Sequence, residues 1–185
     1  MNPAATVDLV QFLDRLARLP RTGWLLRGVT NVESIAEHTY GVAVVAAALV
    51  DDARARGLTV DGERVLRMAL VHDAAEAFTG DIPMPAKTAA LDRALEDAEA
   101  ELLGRVLPPA ELALWREAET GATLEARIVK AADKIQMFVK ALVYTAERRG
   151  DVAEIMKNPK SRRHMDLEGA RALFEEIDRR VAALG

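Results

Sequence analysis

The chain has 185 residues, 50% hydrophobic and 29% charged, a balance that excludes wholesale disorder and suffices for one domain with its own core. A formal net charge of −4 leaves no basic footprint for a nucleic-acid polymer, and the lack of cysteine excludes disulfides, thiolate metal sites and a cysteine nucleophile. No apolar run nears the roughly 18 residues of a membrane span, and MNPAATVDLVQFLDRL lacks the basic-then-apolar pattern of a secretory signal. A cytoplasmic protein with a single domain over residues 1–185 is expected.

Helical periodicity runs through the chain. Val7, Val10, Phe12, Leu13, Leu16 and Leu19 recur at threes and fours until Pro20. Arg21–Val32 has two glycines and no period, and reads as an ordered loop. Ser34-Ile35-Ala36-Glu37 is a capping box opening a helix that continues to about Arg54. A third helix, from about Gly62 to Phe78, carries Val65, Leu66, Met68, Ala69, Leu70 and Val71 and is expected to be buried on nearly all sides. Thr79–Pro85 stops it. An acidic amphipathic helix follows from Lys87 to about Val106, then a short one starts at Pro108-Pro109. A long helix runs from about Leu124 to Arg148, Gly150–Met165 is polar and irregular with room for one turn of helix, and a last helix spans about Leu167–Leu184. No alternating β pattern interrupts the series. The fold expected is all-α, a bundle of six or seven helices.

Three helices carry polar residues where apolar ones belong: His38 in the opening turn of the second, His72-Asp73 after Met68-Ala69-Leu70-Val71, and Asp133 within Ile128–Ile135. A buried carboxylate must shift its pKa, pair with a cation or coordinate a metal. Two imidazoles and two carboxylates from three helices suit one divalent ion with positions left open for reactants. Asp133 has a plainer alternative, an ion pair with Lys130 or Lys134. Glu76 lies four residues after His72 and three after Asp73, on the same helical face, where the dipole of the helix end disfavours an anion.

The order H…HD…D resembles the metal signature of the HD-domain phosphohydrolase superfamily. Leu70-Val71-His72-Asp73-Ala74-Ala75-Glu76-Ala77-Phe78-Thr79-Gly80-Asp81-Ile82-Pro83 is similar to a segment of its 5'-deoxynucleotidase branch. Pro20-Arg21-Thr22-Gly23-Trp24-Leu25-Leu26-Arg27-Gly28-Val29 and Glu33–His38 match it too, so the similarity extends over roughly Phe12 to Lys140. The resemblance implies an all-α homodimer that uses one divalent metal to remove phosphate from nucleoside 5'-monophosphates, favouring 2'-deoxy substrates. It makes His38, His72, Asp73 and Asp133 the metal shell and Glu76 the group that activates or orients the attacking water. Asp81 becomes a second acid–base group or a contact to a substrate hydroxyl, with an ordinary turn aspartate as the alternative.

The phosphate needs local cations in this acidic chain, and Arg21, Arg27 and Lys87 are the candidates. Trp24 either stacks on a nucleobase or anchors its loop in the core. Some members carry an Arg-Trp pair one register away from the Arg21-Thr22-Gly23-Trp24 spacing, which leaves the base contact open. The basic run Lys160–His164 reads as solvated surface, and Met68, Met137 and Phe138 as core. The apolar stripes of the acidic and last helices either close the core or face a second copy. Competing functions are an HD-type hydrolase of another phosphate ester or nucleotide, and a catalytically silent helical binding protein.

Overall fold

Six of the seven long helices begin on a side chain or a proline suited to their exposed first turn; the last starts after Leu167 with no side-chain cap. In the computed structural model, which describes residues 2–157, 161–162 and 164–184, Asn2 caps α1 (Pro3–Leu13). The expected box closes at α3 (Ile35–Ala55): Ser34 Oγ accepts from the Glu37 amide, and Glu37 Oε2 takes the Ser34 amide at 2.6 Å. Asp61 caps α4 (Gly62–Val71), Thr88 caps α6 (Ala89–Leu103), Pro109 opens α7 (Pro109–Thr120) and Thr123 caps α8 (Leu124–Ala146). Between them lie the short helices α2 (Thr22–Leu25), α5 (Glu76–Thr79) and α9 (Ala153–Lys157), and α10 (Glu168–Ala182) closes the chain. Seven helices of ten or more residues form the bundle among the described residues, and the only β feature there is a bridge between Pro20 and Ser34.

The core lies between α3 and α8, which pack along one another, with α4 and α10 laid against them. Val42, Ala46, Ile128, Ile135, Phe138 and Phe174 are fully enclosed there. Gly41 makes the approach possible: a Cβ at this position would stand 2.7 Å from Gln136 Cγ. Two polar residues, His38 and Gln136, therefore end up face to face inside an apolar seam.

Five sequence expectations change. Arg21–Val32, read as a loop, opens on the short helix α2. The first helix does not run to Leu19 but tightens into a 3-10 turn at Asp14–Arg18, after which the chain is pinned by Ile35 N–H to Leu19 O (2.9 Å) and Arg21 N–H to Glu33 O (3.0 Å). The single helix expected over Gly62–Phe78 stops at Val71. Residues 72–75 turn on i,i+3 hydrogen bonds, Ala74 to Val71 and Glu76 to Asp73. That tightening stacks residues three apart and brings Asp73 and Glu76 to one side. The helix is also less enclosed than its composition suggests: Val65, Met68 and Ala69 are buried, but Leu66 is 38% and Leu70 53% exposed. In the basic run, Lys160 and Arg163 lie outside the described residues. Arg162 is not simply solvated, since it pairs with Asp178 and lies over the rings of Phe138 and Phe174. The last helix closes the core through Ala170, Phe174 and Ile177, whereas α6 buries only Leu103.

Candidate metal centre and active site

His38 enters the site from the first turn of α3, His72 and Asp73 from the turn that ends α4, and Asp133 from the middle of α8. All four come together. His38 Nε2 stands 3.3 Å from Asp133 Oδ1 and 3.6 Å from Asp73 Oδ2, and His72 Nε2 lies 3.3 Å from Asp73 Oδ2. One ligand atom each from His38, His72 and Asp133 fall within 4.8 Å of one another.

The imidazoles face this point with particular atoms. His72 Nδ1 lies 2.7 Å from the Ala69 carbonyl, an acceptor only, so Nδ1 carries the proton. His38 Nδ1 is 2.5 Å from Gln136 Oε1. Each ring is thereby left with Nε2 toward the cluster, and among the described residues His38 Nε2, His72 Nε2 and Glu76 Oε2 are buried without a hydrogen-bond partner. Buried lone pairs converging beside two carboxylates suit a cation. Neutral imidazole nitrogens with their far nitrogens tied down are a suitable donor set for a borderline divalent ion. The residues fit the group.

Without the ion, protons take part of its place. Burial lowers the His72 pKa, but the adjacent Asp73 and the further Asp133 outweigh it and lift the group to about 9. Asp73 and Asp133 are held below the usual carboxylate range: burial opposes this, while His72 and Arg21 act on Asp73 and Lys134 and His38 on Asp133. Glu76 goes the other way. Its burial and the charge of Asp73 push it up to about 9.

Arg21, anchored through Glu33 O, sits over three carboxylates: Nη1 is 3.3 Å from Asp73, 3.7 Å from Glu76 and 3.7 Å from Asp81. These charges raise its already high pKa against the cost of burial. Asp81 is aimed by Gly80, whose φ of +71° lets the chain turn away from α5. Asp81 Oδ2 accepts from Thr22 N at 2.6 Å and Thr22 Oγ1 at 3.0 Å, so that oxygen is spent on the first turn of α2 and Oδ1 faces Arg21.

A cavity of about 800 Å³ opens over the cluster. Arg21, Asp73, Glu76, Asp81 and Asp133 form its floor, and Leu26, Met84, Pro85, Met137 and Ile155 form an apolar wall. Arg27 and Lys87 also line it, although Arg27 is paired with Glu154 at 2.8 Å. Trp24 borders the cavity but is only 3% exposed, with its indole N–H donated to Glu33 Oε1 at 2.9 Å and its ring edge-on to Tyr144. The packing therefore favours the loop-anchoring alternative. Met137, expected in the core, is part of the cavity wall.

Three further side chains bear on the ligands without belonging to the metal signature. Lys134 lines the cavity with Nζ 2.9 Å from Asp133 Oδ2, so the ion-pair alternative for Asp133 holds alongside its contact with His38; Lys130 turns instead to the Glu119 carbonyl. Gln136 and Glu33 are the others. Gln136 follows Asp133 by three, a polar residue on the buried face of α8, and that spacing is the signal that could have found it. Glu33 sits just before the capping box with no periodic signal of its own, and its place at the head of the Glu33–His38 segment is the one mark it leaves in the sequence.

Comparison with known proteins agrees with this geometry. The HD domain family model matches residues 13–173. The human protein 5'-deoxynucleotidase HDDC2 is 36% identical over 74% of this chain and 68% of its own length. The crystal structure of PH0347 protein from Pyrococcus horikoshii superposes with a TM-score of 0.82 at 33% identity, covering 94% of this chain and 99% of that one. A cyanophage S-2L HD phosphohydrolase, DatZ, solved with dA and one catalytic Zn2+ ion bound, aligns at a TM-score of 0.65 and 25% identity over 94% and 96% of the two chains. The chain belongs to the HD-domain phosphohydrolase family.

Proposed function

We propose that this protein is a divalent-metal-dependent 5'-deoxynucleotidase, hydrolysing the 5'-phosphate ester of (deoxy)nucleoside monophosphates. The observation that carries the reading is the convergence of His38 Nε2, His72 Nε2, Asp73 and Asp133 beneath a half-polar, half-apolar cavity. HDDC2, similar over most of the chain, is named for that activity, and the DatZ complex holds dA. When bound, the divalent ion would supply Lewis acidity, strengthening water as a nucleophile and offsetting charge on the phosphoryl oxygens.

The chain's own groups do the rest. Arg21 presents a guanidinium already oriented by carboxylates, and Lys134 and Lys87 add charge at the rim. Glu76, three residues from Asp73 and without a hydrogen-bond partner at Oε2, handles the proton of the attacking water. Burial and the charge of Asp73 raise its proton affinity; with part of that charge offset by a divalent cation beside Asp73, Glu76 starts ionised and takes the proton. Asp81 positions Arg21 and Thr22, and Oδ1 remains available to a substrate hydroxyl. The apolar wall of Leu26, Met84, Met137 and Ile155 suits the base, with Arg27 and Trp24 at its edge. No helix among the described residues is long and apolar enough to cross a membrane, in keeping with a cytoplasmic enzyme. Outward-facing Tyr40, Val44, Val139 and Val143 leave apolar area for a homodimer contact.

The test is phosphate release after stripping the protein and reloading it with Mn, Co, Zn, Ni, Mg or Cu. The substrates are nucleoside mono-, di- and triphosphates, cyclic nucleotides and sugar phosphates. Release from monophosphates, faster with 2'-deoxy sugars, is expected. Release only from cyclic or pyrophosphate substrates would assign another HD-type reaction, and silence with every metal would leave a binding protein.

A further inference from the structure

No group in the site itself secures the metal-facing tautomer of His38, and the Asp133 carboxylate, 3.3 Å from Nε2, would draw the proton to that nitrogen instead. An imidazole can protonate either nitrogen, and only the Nδ1–H form leaves Nε2 free as a ligand. His72 obtains that form from a backbone carbonyl, whose polarity cannot change. His38 obtains it from an amide side chain, Gln136, which could present either its oxygen or its nitrogen.

What decides between them lies one step further out. Gln136 Nε2 donates to Glu33 Oε2 at 2.9 Å, and the carboxylate of Glu33, 3% exposed, can only accept. Its other oxygen accepts from Trp24 Nε1 at 2.9 Å, and Lys140 Nζ lies 3.8 Å from Oε2. With Glu33 so surrounded by donors, the Gln136 amide has one orientation, oxygen toward His38. The same glutamate is tied by its own backbone to both ends of the site: its carbonyl accepts the Arg21 N–H, and its amide donates to Tyr144 Oη.

We propose that Glu33 and Gln136 are positioning residues that set the His38 tautomer and hold this ligand in register with the Arg21 loop. Polarity passes from Trp24 through Glu33 and Gln136 to His38 by three hydrogen bonds, each with its donor and acceptor fixed by the one before. Gly41 is part of the device, because the close contact it allows sets the Gln136 side chain against α3. The proposal rests on His38 being a metal ligand. Its structural half, a proton on His38 Nδ1 held by Gln136 Oε1, does not require the ion.

Two variants separate polarity from packing. Gln136→Met keeps the approximate volume and removes both hydrogen bonds. The exchange Gln136→Glu with Glu33→Gln restores a consistent chain, since the new carboxylate accepts from His38 and from the new amide, whose oxygen accepts from Trp24. Zinc affinity is read by equilibrium dialysis against a competing chelator, and the His38 tautomer by long-range imidazole 1H–15N correlation in metal-free and zinc-loaded protein.

The expected results are a zinc affinity roughly 10- to 100-fold weaker in Gln136→Met, with loss of the single Nδ1–H signature, and recovery of both in the exchanged pair. Thermal unfolding establishes that each variant is folded. If Gln136→Met does not fold, the exchanged pair decides alone: wild-type tautomer and zinc affinity support the relay, and their loss refutes it. Zinc binding within twofold of wild type and an unchanged tautomer in Gln136→Met would overturn the proposal. A wild-type chain that binds no zinc while His38 keeps the Nδ1–H form would overturn the metal reading and leave the relay standing.

Discussion

His38 on α3 and Asp133 on α8 meet at 3.3 Å, imidazole Nε2 to carboxylate Oδ1, across the most extensive helix–helix seam among the described residues. The contact joins residues far apart in sequence, and it forms because the largest helix–helix interface also carries the polar pair. Removing the carboxylate should therefore affect the ion more than the fold. Asp133→Ala is expected to purify with well under one divalent ion per chain and to lose turnover while keeping its helical content. Full metal occupancy in that variant would take Asp133 out of the shell.

Glu76 has a different signature because it borders the cluster without belonging to it. Glu76→Gln keeps the size and the hydrogen-bonding reach but cannot exchange the proton. The variant should bind metal at wild-type stoichiometry and lose roughly 100- to 10,000-fold in kcat, with KM changed much less. A near-normal kcat would remove Glu76 from the proton path.

Arg21 is the cation best placed for a phosphate, held above Asp73, Glu76 and Asp81. Charge-assisted hydrogen bonds contribute about 1.5–3 kcal/mol. Arg21→Ala should accordingly weaken competitive inhibition by inorganic phosphate roughly 10- to 150-fold, measured as the inhibition constant on the metal-loaded enzyme. Unchanged inhibition would move phosphate recognition to Lys134 or Lys87.

The metal-free protein should lose stability as pH rises. His72 has a folded pKa of about 9 against an ordinary 6.5, so its proton stabilises the fold fully below 6.5, and that contribution fades as pH passes through 9. Glu76, also raised to about 9, acts in the same direction: above its ordinary value of 4.5 the unfolded chain releases its proton and the folded chain does not. Melting temperatures of chelator-treated protein should fall between pH 6.5 and 9, and added divalent ion should flatten the curve. A metal-free melting temperature that rises over that window would contradict the assignment.

Gly41→Ala tests the seam itself. Alanine is the better helix former by about 1 kcal/mol, yet its Cβ would press on a Gln136 side chain held at both ends. Net destabilisation of about 1–2 kcal/mol is expected, together with weaker metal binding. A more stable variant with unaltered metal affinity would show that the seam can open without cost.

The helices and the four cluster residues were legible because each leaves a local mark: a capping box at Ser34, a proline at Pro109, a polar residue in an apolar run at His72 and Asp133. What the sequence did not disclose depends on contacts between distant segments. The break after Val71 has no proline or glycine to announce it, and arises from i,i+3 bonding that turns Asp73 and Glu76 inward. Trp24 left two readings open in the sequence, and only its hydrogen bond to Glu33 separates them. Glu33 itself looked like the residue before a cap. Its importance comes from three partners on α2 and α8, none of which its neighbours in sequence reveal.

Every catalytic role assigned to these side chains depends on a bound ion. The direct measurement is anomalous scattering from a crystal of the zinc- or manganese-soaked protein, collected at the metal edge. A single peak roughly 2.0–2.2 Å from His38 Nε2, His72 Nε2 and oxygens of Asp73 and Asp133 is the expected result. A soaked crystal with no peak between these four side chains, and with His72 still paired to Asp73 as in the metal-free protein, would contradict it.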